Sequence, residues 1–253
     1  MAGPYRYLPR PIRRRIALAL RAVGGRMRST GGTLYNRYEW AVEQPAPGET
    51  SGVIPSGDRP IWVEVGASQG GSLYEAPPNA RVYAFEPNTL LLADLHRARP
   101  DATVIAAAVT GHDGMATFHF ASDPAAGSLR PIDSTYVRQF LAADAYHETQ
   151  ASPVPTVRLD TFMQSVGLNR IDFLSVDAQG ADLSVLQSLG DRLRDVRRIR
   201  VEAYLPGGSQ YVDADNDREG IVQYLTARGF ALVDEHPIVF NTYVDLLFEN
   251  SRA

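Results

Sequence analysis

Two carboxylates, Glu64 and Glu86, and the residues around them carry the clearest chemical signal in the chain. Glu64-Val65-Gly66-Ala67-Ser68-Gln69-Gly70-Gly71 follows the apolar run Ile61-Trp62-Val63 and spaces an acid from two glycines as acidic-x-Gly-x-x-x-Gly. A dinucleotide fingerprint requires glycine at the position of Ser68, so that a pyrophosphate can approach the backbone. Glu64 suits a cationic amino group instead, and Gly66 and Gly70 leave bare backbone on which an adenosyl amino acid can lie. Twenty-two residues after Glu64, Ala84-Phe85-Glu86-Pro87-Asn88 sets a second carboxylate at a second strand end. There its two oxygens can accept from both ribose hydroxyls. The pair predicts an S-adenosylmethionine (SAM) site formed by Glu64, Gly66, Ala67, Ser68, Gly70, Ser72, Glu86, Pro87 and Asn88, with Ala107 and Ala108 after the third strand. The plainer alternatives are a tight turn with an exposed acidic cap, or a nucleotide-binding module without catalysis.

Such a site needs strand ends gathered at one sheet edge. The hydrophobic pattern supplies them: strands at 61–65, 81–85, 103–107, 171–176 and 199–203 alternate with helices at 89–98, 159–166, 182–189 and 219–228. Strands 231–234 and 244–249 follow, and alternation marks an extra strand at 115–120. This order predicts an α/β, Rossmann-like fold: a seven-stranded, mostly parallel sheet with right-handed crossovers and a closing antiparallel hairpin. Residues 121–155 lack a core pattern and are expected to form an acceptor-side insertion or lid. The expected organisation is a basic helical region at 1–43, a Pro/Gly-rich connection at 44–60, and one catalytic domain at 61–253.

Composition narrows the chemistry. All 25 basic residues are Arg, so Schiff-base and P-loop mechanisms that depend on lysine are excluded. With no Cys, disulfides, thiolate catalysis and zinc ribbons are excluded as well. Residues 1–40 carry nine Arg and one Glu, whereas 41–253 carry 16 Arg and 28 acids. The acidic domain argues against nucleic acid as a partner. Ile12, Ile16, Ala19, Leu20 and Val23 form one face of a short amphipathic helix after Pro11, which predicts a covering helix or a homo-oligomer contact, with an anionic-surface or acceptor-binding helix as the alternative. Arg21 breaks the apolar run, so neither a signal peptide nor a transmembrane segment is expected, and the expected location is cytoplasmic.

From about residue 61 to 250 the chain resembles the FkbM family of methyltransferases. Glu64-Val65-Gly66-Ala67-Ser68 is similar to the family's acidic-Ile-Gly-Ala-Asn start, and Ala84-Phe85-Glu86-Pro87-Asn88 matches its Ala-Phe-Glu-Pro-Asn. Ala108-Val109-Thr110, with Asp113-Gly114 and Thr117-Phe118, resembles the segment after the third strand. Leu174 to Asp182 resembles Leu-Lys-Ile-Asp-Val-Glu-Gly-Ala-Glu, and Asp245-Leu246-Leu247-Phe248 matches the closing strand. Ser175 stands where the family has Lys and Gln179 where it has Glu, and the segment between Gly71 and Pro77-Pro78 is too short for the usual first helix. The resemblance implies a class I SAM-dependent O-methyltransferase, often acting on sugars or natural products. The Arg-rich, GC-rich character adds a narrower expectation, the mycobacterial methylmannose polysaccharide pathway.

A hydroxyl acceptor needs a base aligned with the methyl group. Asp177 and Glu202, each expected to close a central strand, are the candidates, and both could hold the acceptor or a divalent cation such as Mg2+. His147, in the insertion, is a third candidate. Tyr204 and Tyr211 are expected to line a sugar-binding pocket with their aromatic faces. His96, His112 and His236 read as surface residues. Asp213-Ala214-Asp215-Asn216-Asp217 lacks the glycine and final glutamate of a calcium loop and reads as a helix cap. The rival functions are a macrolide or phenolic O-methyltransferase and a noncatalytic SAM-binding module.

Overall fold

A computed structural model describes residues 59–140, 146–238 and 242–252. The predicted helix within 1–43 and most of the 44–60 connection lie outside the described residues. The main sheet contains β1 (Ile61–Val65), β2 (Arg81–Phe85), β3 (Thr103–Ile105), β7 (Ile171–Val176), β8 (Val196–Tyr204), β9 (Phe230–Ile238) and β10 (Tyr243–Asn250). Their order is β3-β2-β1-β7-β8-β10-β9. Neighbours from β3 through β8 are parallel, and β10 runs antiparallel to both β8 and β9. The predicted sheet and closing hairpin are therefore present. From β1 the chain builds outward to β3, then returns to the other side of β1 at β7, which makes the carboxyl ends of β1 and β7 the switch point where ligands bind.

The helices are α1 (Leu92–Ala98), α2 (Ser134–Phe140), α3 (Leu159–Ser165), α4 (Asp182–Gln187) and α5 (Arg218–Thr226). Strand alternation sends Val63, Val65, Leu174, Val176 and Ile199 into the larger core with Phe162, Leu186 and Ile221 of α3, α4 and α5. The opposite face carries Trp62, Val82 and Ala84 against Leu73 and Leu95. There Trp62 stacks on Phe173 of β7 at 4.1 Å between ring centroids. The usual first helix is reduced to one 3-10 turn, Ser72–Glu75. Arg99 holds it from behind, donating to the carbonyls of Ala76 and Pro77 at 2.9 Å each.

The predicted strand near 115–120 exists as β5 (Gly114–Ala121), but it belongs to a second sheet. Its partners are β4 (Ala108–Val109) and β6 (Glu148–Val157), the latter inside the expected insertion. Arg158 joins this small sheet to the main domain. Its guanidinium donates to the carbonyls of Gly111 at 2.8 Å and Ser188 at 3.0 Å and pairs with Asp160. No described helix is long and apolar enough to cross a membrane.

Candidate active site

A cleft with about 500 Å3 of empty space, its open mouth included, lies at the carboxyl edge beside β1, β2 and β7. Its walls include the predicted residues Gly66, Ser68, Glu86, Pro87, Ala107, Ala108 and Asp177. Glu86 is the best defined of them. Its carboxylate accepts from the amides of Ser68 and Asn88, each at 2.7 Å, and only 5% of the residue is exposed. Burial pushes its pKa up to about 7; the two amides oppose this, and the nearby Asp177 carboxylate adds to it. Two backbone bonds leave lone pairs on both oxygens for hydroxyl donors.

Asp177 enters the same cleft because β7 is locked in register with β1, its amide donating to the Val65 carbonyl at 3.0 Å. Its Oδ1 accepts from the Gln179 carboxamide at 2.5 Å, and Gln179 Oε1 accepts from the Tyr211 hydroxyl at 2.7 Å. Gln179 adopts φ +53°, so this departure from the family motif occupies a strained backbone position beside the cleft. Asp182 orders the same loop, accepting from the amides of Ala178 and Gly180. Full burial, with the neighbouring Asp177 charge, raises its pKa to about 8.

Several predicted residues serve the site from behind rather than lining it. Glu64 lies on the Trp62 face of β1, 2% exposed, where its carboxylate accepts from the Trp62 indole at 3.1 Å and from the Ser72 hydroxyl. The expected direct contact with a cationic amino group is thus corrected: strand alternation turns Glu64 away from the cleft. Gly66, which lines the cleft, has a packing role besides. At φ +77° a Cβ there would fall 1.9 Å from the Asp177 carbonyl oxygen, so its bare Cα makes room for β7. Gly70 likewise yields to Ala98, and Ala67 is core. Asn88 caps the following 3-10 turn by accepting from the Leu90 amide.

On the acceptor side the corrections are larger. Glu202 does not close its strand, because β8 continues to Tyr204; it is buried opposite the Val201 and Ala203 face, in register with Asp245. His147 is exposed at the start of β6, where its backbone pairs with Ser122, and it does not line the cleft. Tyr204 and Tyr211 are 5% and 3% exposed, so neither offers an open aromatic face, and burial raises both hydroxyl pKa values. Tyr211 packs its ring on Gly180, and its hydroxyl lies 2.9 Å from the Ala126 carbonyl. Among the described residues no three His, Asp or Glu gather as metal ligands. With Asp177 bonded to Gln179 and no such cluster around it among the described residues, the structure does not support the expected divalent cation.

The residues of the cleft's cover were not singled out in the sequence, where 121–155 was expected only as an acceptor-side insertion or lid. Phe118 of β5 and Pro124, Ala125, Gly127 and Leu129 form its apolar wall. The readable signal was Asp123-Pro124, since the Asp123 side chain accepts from the Ala125 amide and starts the 3-10 turn Pro124–Ala126. Ser128 then fastens this cover to the β7 loop, its hydroxyl donating to the Gln179 carbonyl at 2.6 Å.

No curated protein matches the chain. Among solved structures it is similar to the fibrillarin pre-rRNA processing protein of Methanococcus jannaschii, at 15% identity and a TM-score of 0.43, over 79% of this chain and 70% of that one. It is also similar to a Burkholderia thailandensis 1,6-didemethyltoxoflavin-N1-methyltransferase bound to its substrate and S-adenosylhomocysteine, with 15% identity, TM-score 0.41 and coverage of 76% and 72%. A third is an rRNA methylase of Streptococcus thermophilus, with 12% identity, TM-score 0.41 and coverage of 76% and 87%. Residues 64–232, well over half of the chain and including both acidic motifs and the cleft, match the methyltransferase FkbM domain. The chain therefore belongs to the FkbM family of SAM-dependent methyltransferases.

Proposed function

We propose that this protein methylates a hydroxyl of a sugar acceptor, using SAM bound in the cleft between Glu86 and Asp177. The carrying observation is Glu86: a carboxylate fixed by two backbone amides at a strand end, with oxygens open to paired hydroxyls, suits a ribose. Ala107 and Ala108 give the adenine a flat apolar wall beside it. Asp177, on the opposite side of the Gly66 turn, is the proposed base. Transfer is an in-line displacement: the acceptor oxygen forms its bond to the methyl carbon as the sulfonium bond breaks, the acceptor proton passes to Asp177, and S-adenosylhomocysteine (SAH) leaves.

Calorimetry with SAM and SAH tests the donor half, and mannosides incubated with methyl-labelled SAM test the acceptor half. Asp177→Asn is expected to keep SAH affinity within about threefold while lowering methyl transfer on the order of 100-fold or more. Failure of the wild-type protein to bind either nucleotide sinks the proposal, and full transfer by the variant removes Asp177 as base.

A further inference from the structure

A partly buried cation lies beneath the turn read as the methyl-donor site. Glu64 of β1, Ser175 of β7 and Arg200 of β8 occupy one row across three parallel strands, Glu64 opposite Ser175 and Ser175 opposite Arg200. The Arg200 side chain is 16% exposed; it pairs with Glu75 at 2.5 Å and donates to the Ser175 hydroxyl at 3.2 Å. Burial alone would depress its pKa, but the carboxylates of Glu75, Glu64 and Asp245 outweigh that and keep it charged. Glu75 closes the 3-10 turn that follows Gly66–Gly71, and Ser72, the first residue of that turn, donates to Glu64. The first residue of the turn is therefore tied to Glu64 and the last to Arg200 itself.

We propose that Arg200 is the positioning residue for the methyl-donor turn: through Glu75, Ser175 and Glu64 it holds Gly66–Glu75 in the shape the cofactor requires, in place of the first helix. The inference rests on reading that turn as the SAM site. It accounts for two departures together. The first helix is missing, so its hydrogen-bond ladder cannot hold the turn, and an ion pair reaching across the sheet does so. The family's lysine is missing from position 175, and the cation enters from the next strand over a serine small enough to let it pass. Without Arg200, the buried Glu64 and the partly buried Glu75 lose the cation they share, and the turn that ends at Glu75 loosens.

The test compares Arg200→Met with the double variant Ser175→Lys/Arg200→Met, which returns the cation to β7. SAH affinity is read by calorimetry, and amide exchange is read over residues 66–75 and over β9–β10. Arg200→Met is expected to bind SAH at least tenfold more weakly and to exchange at least tenfold faster at 66–75, with β9–β10 little changed. The double variant is expected to recover both to within threefold of wild type. Wild-type affinity and exchange in Arg200→Met overturn the proposal, as does a double variant no better than the single one. If Arg200→Met does not fold, the double variant decides alone: folded, SAH-binding protein supports the proposal and its absence overturns it. If the wild type itself fails to bind SAH, the reading of the cleft falls, and exchange at 66–75 still decides the role of Arg200.

Discussion

On the proposed reading, Glu86 couples ligand binding to protons. Ribose hydroxyls would donate to the ionised carboxylate, whereas burial pushes the pKa of the group up to about 7 without them. SAH binding is therefore expected to release close to one proton at pH 6 and almost none at pH 8, with affinity rising about tenfold between them. Calorimetry in buffers of different ionisation enthalpy checks this, and Glu86→Gln should bind weakly at every pH with no such trend. For folding the sign is opposite. A carboxyl raised from 4.5 to about 7 favours the folded state at low pH, and that stability is lost as pH climbs through this window. Asp182, raised to about 8, extends the loss in the same direction. The melting temperature of the empty protein should thus fall from pH 5 to pH 8, and a flat profile would contradict the burial argument. Glu86 was legible in the sequence because an acid ending an apolar strand has one place to go. Glu64 was misread because alternation along β1 shows two faces without saying on which the cleft opens, and this depends on the strands alongside.

Among the elements, the junction of β1 with β7 is the least tolerant. Gly66→Ala forces a Cβ to 1.9 Å from the Asp177 carbonyl oxygen at a left-handed φ, and the obstacle is backbone, which cannot swing aside. We expect a loss of about 3 kcal/mol or more, measured by denaturant unfolding, together with loss of SAH binding. Stability within about 1 kcal/mol of wild type would show that the two strands part easily. The glycine itself was plain in the sequence; its reason was not, since the atom it avoids lies more than a hundred residues away. β6 was hidden for a different reason. Pro153 and Pro155 argue against a strand, but they occur two apart, and β4 pairs only with Thr156 and Val157. Both prolines therefore fall where β6 is an edge, at alternate positions whose missing N–H can face away from β5.

For the whole molecule, the two sheets meet over the cleft, and Tyr211 ties the cover to the main domain through Ala126 and Gln179. Tyr211→Phe removes the hydroxyl and keeps the ring on Gly180. Amides at 124–129 are expected to exchange several-fold faster and SAH to dissociate faster, with little change in melting temperature. Unchanged exchange and dissociation would show that the remaining ties, Ser128 to Gln179 and Arg130 to Asp215 among them, hold the cover without the hydroxyl. The main sheet was readable because each strand and helix buries its own apolar face. The cover was expected only as a segment, 121–155, without its residues or contacts, because it packs a few small residues against a neighbour supplied by the fold.

The contact between Gly66 and Asp177 also sets a distance. Donor turn and proposed base do not meet through long, adjustable side chains; they abut through main chain, Cα against carbonyl. On the proposed reading, the separation between methyl donor and proton acceptor is thereby gauged by hard-sphere radii on adjacent central strands.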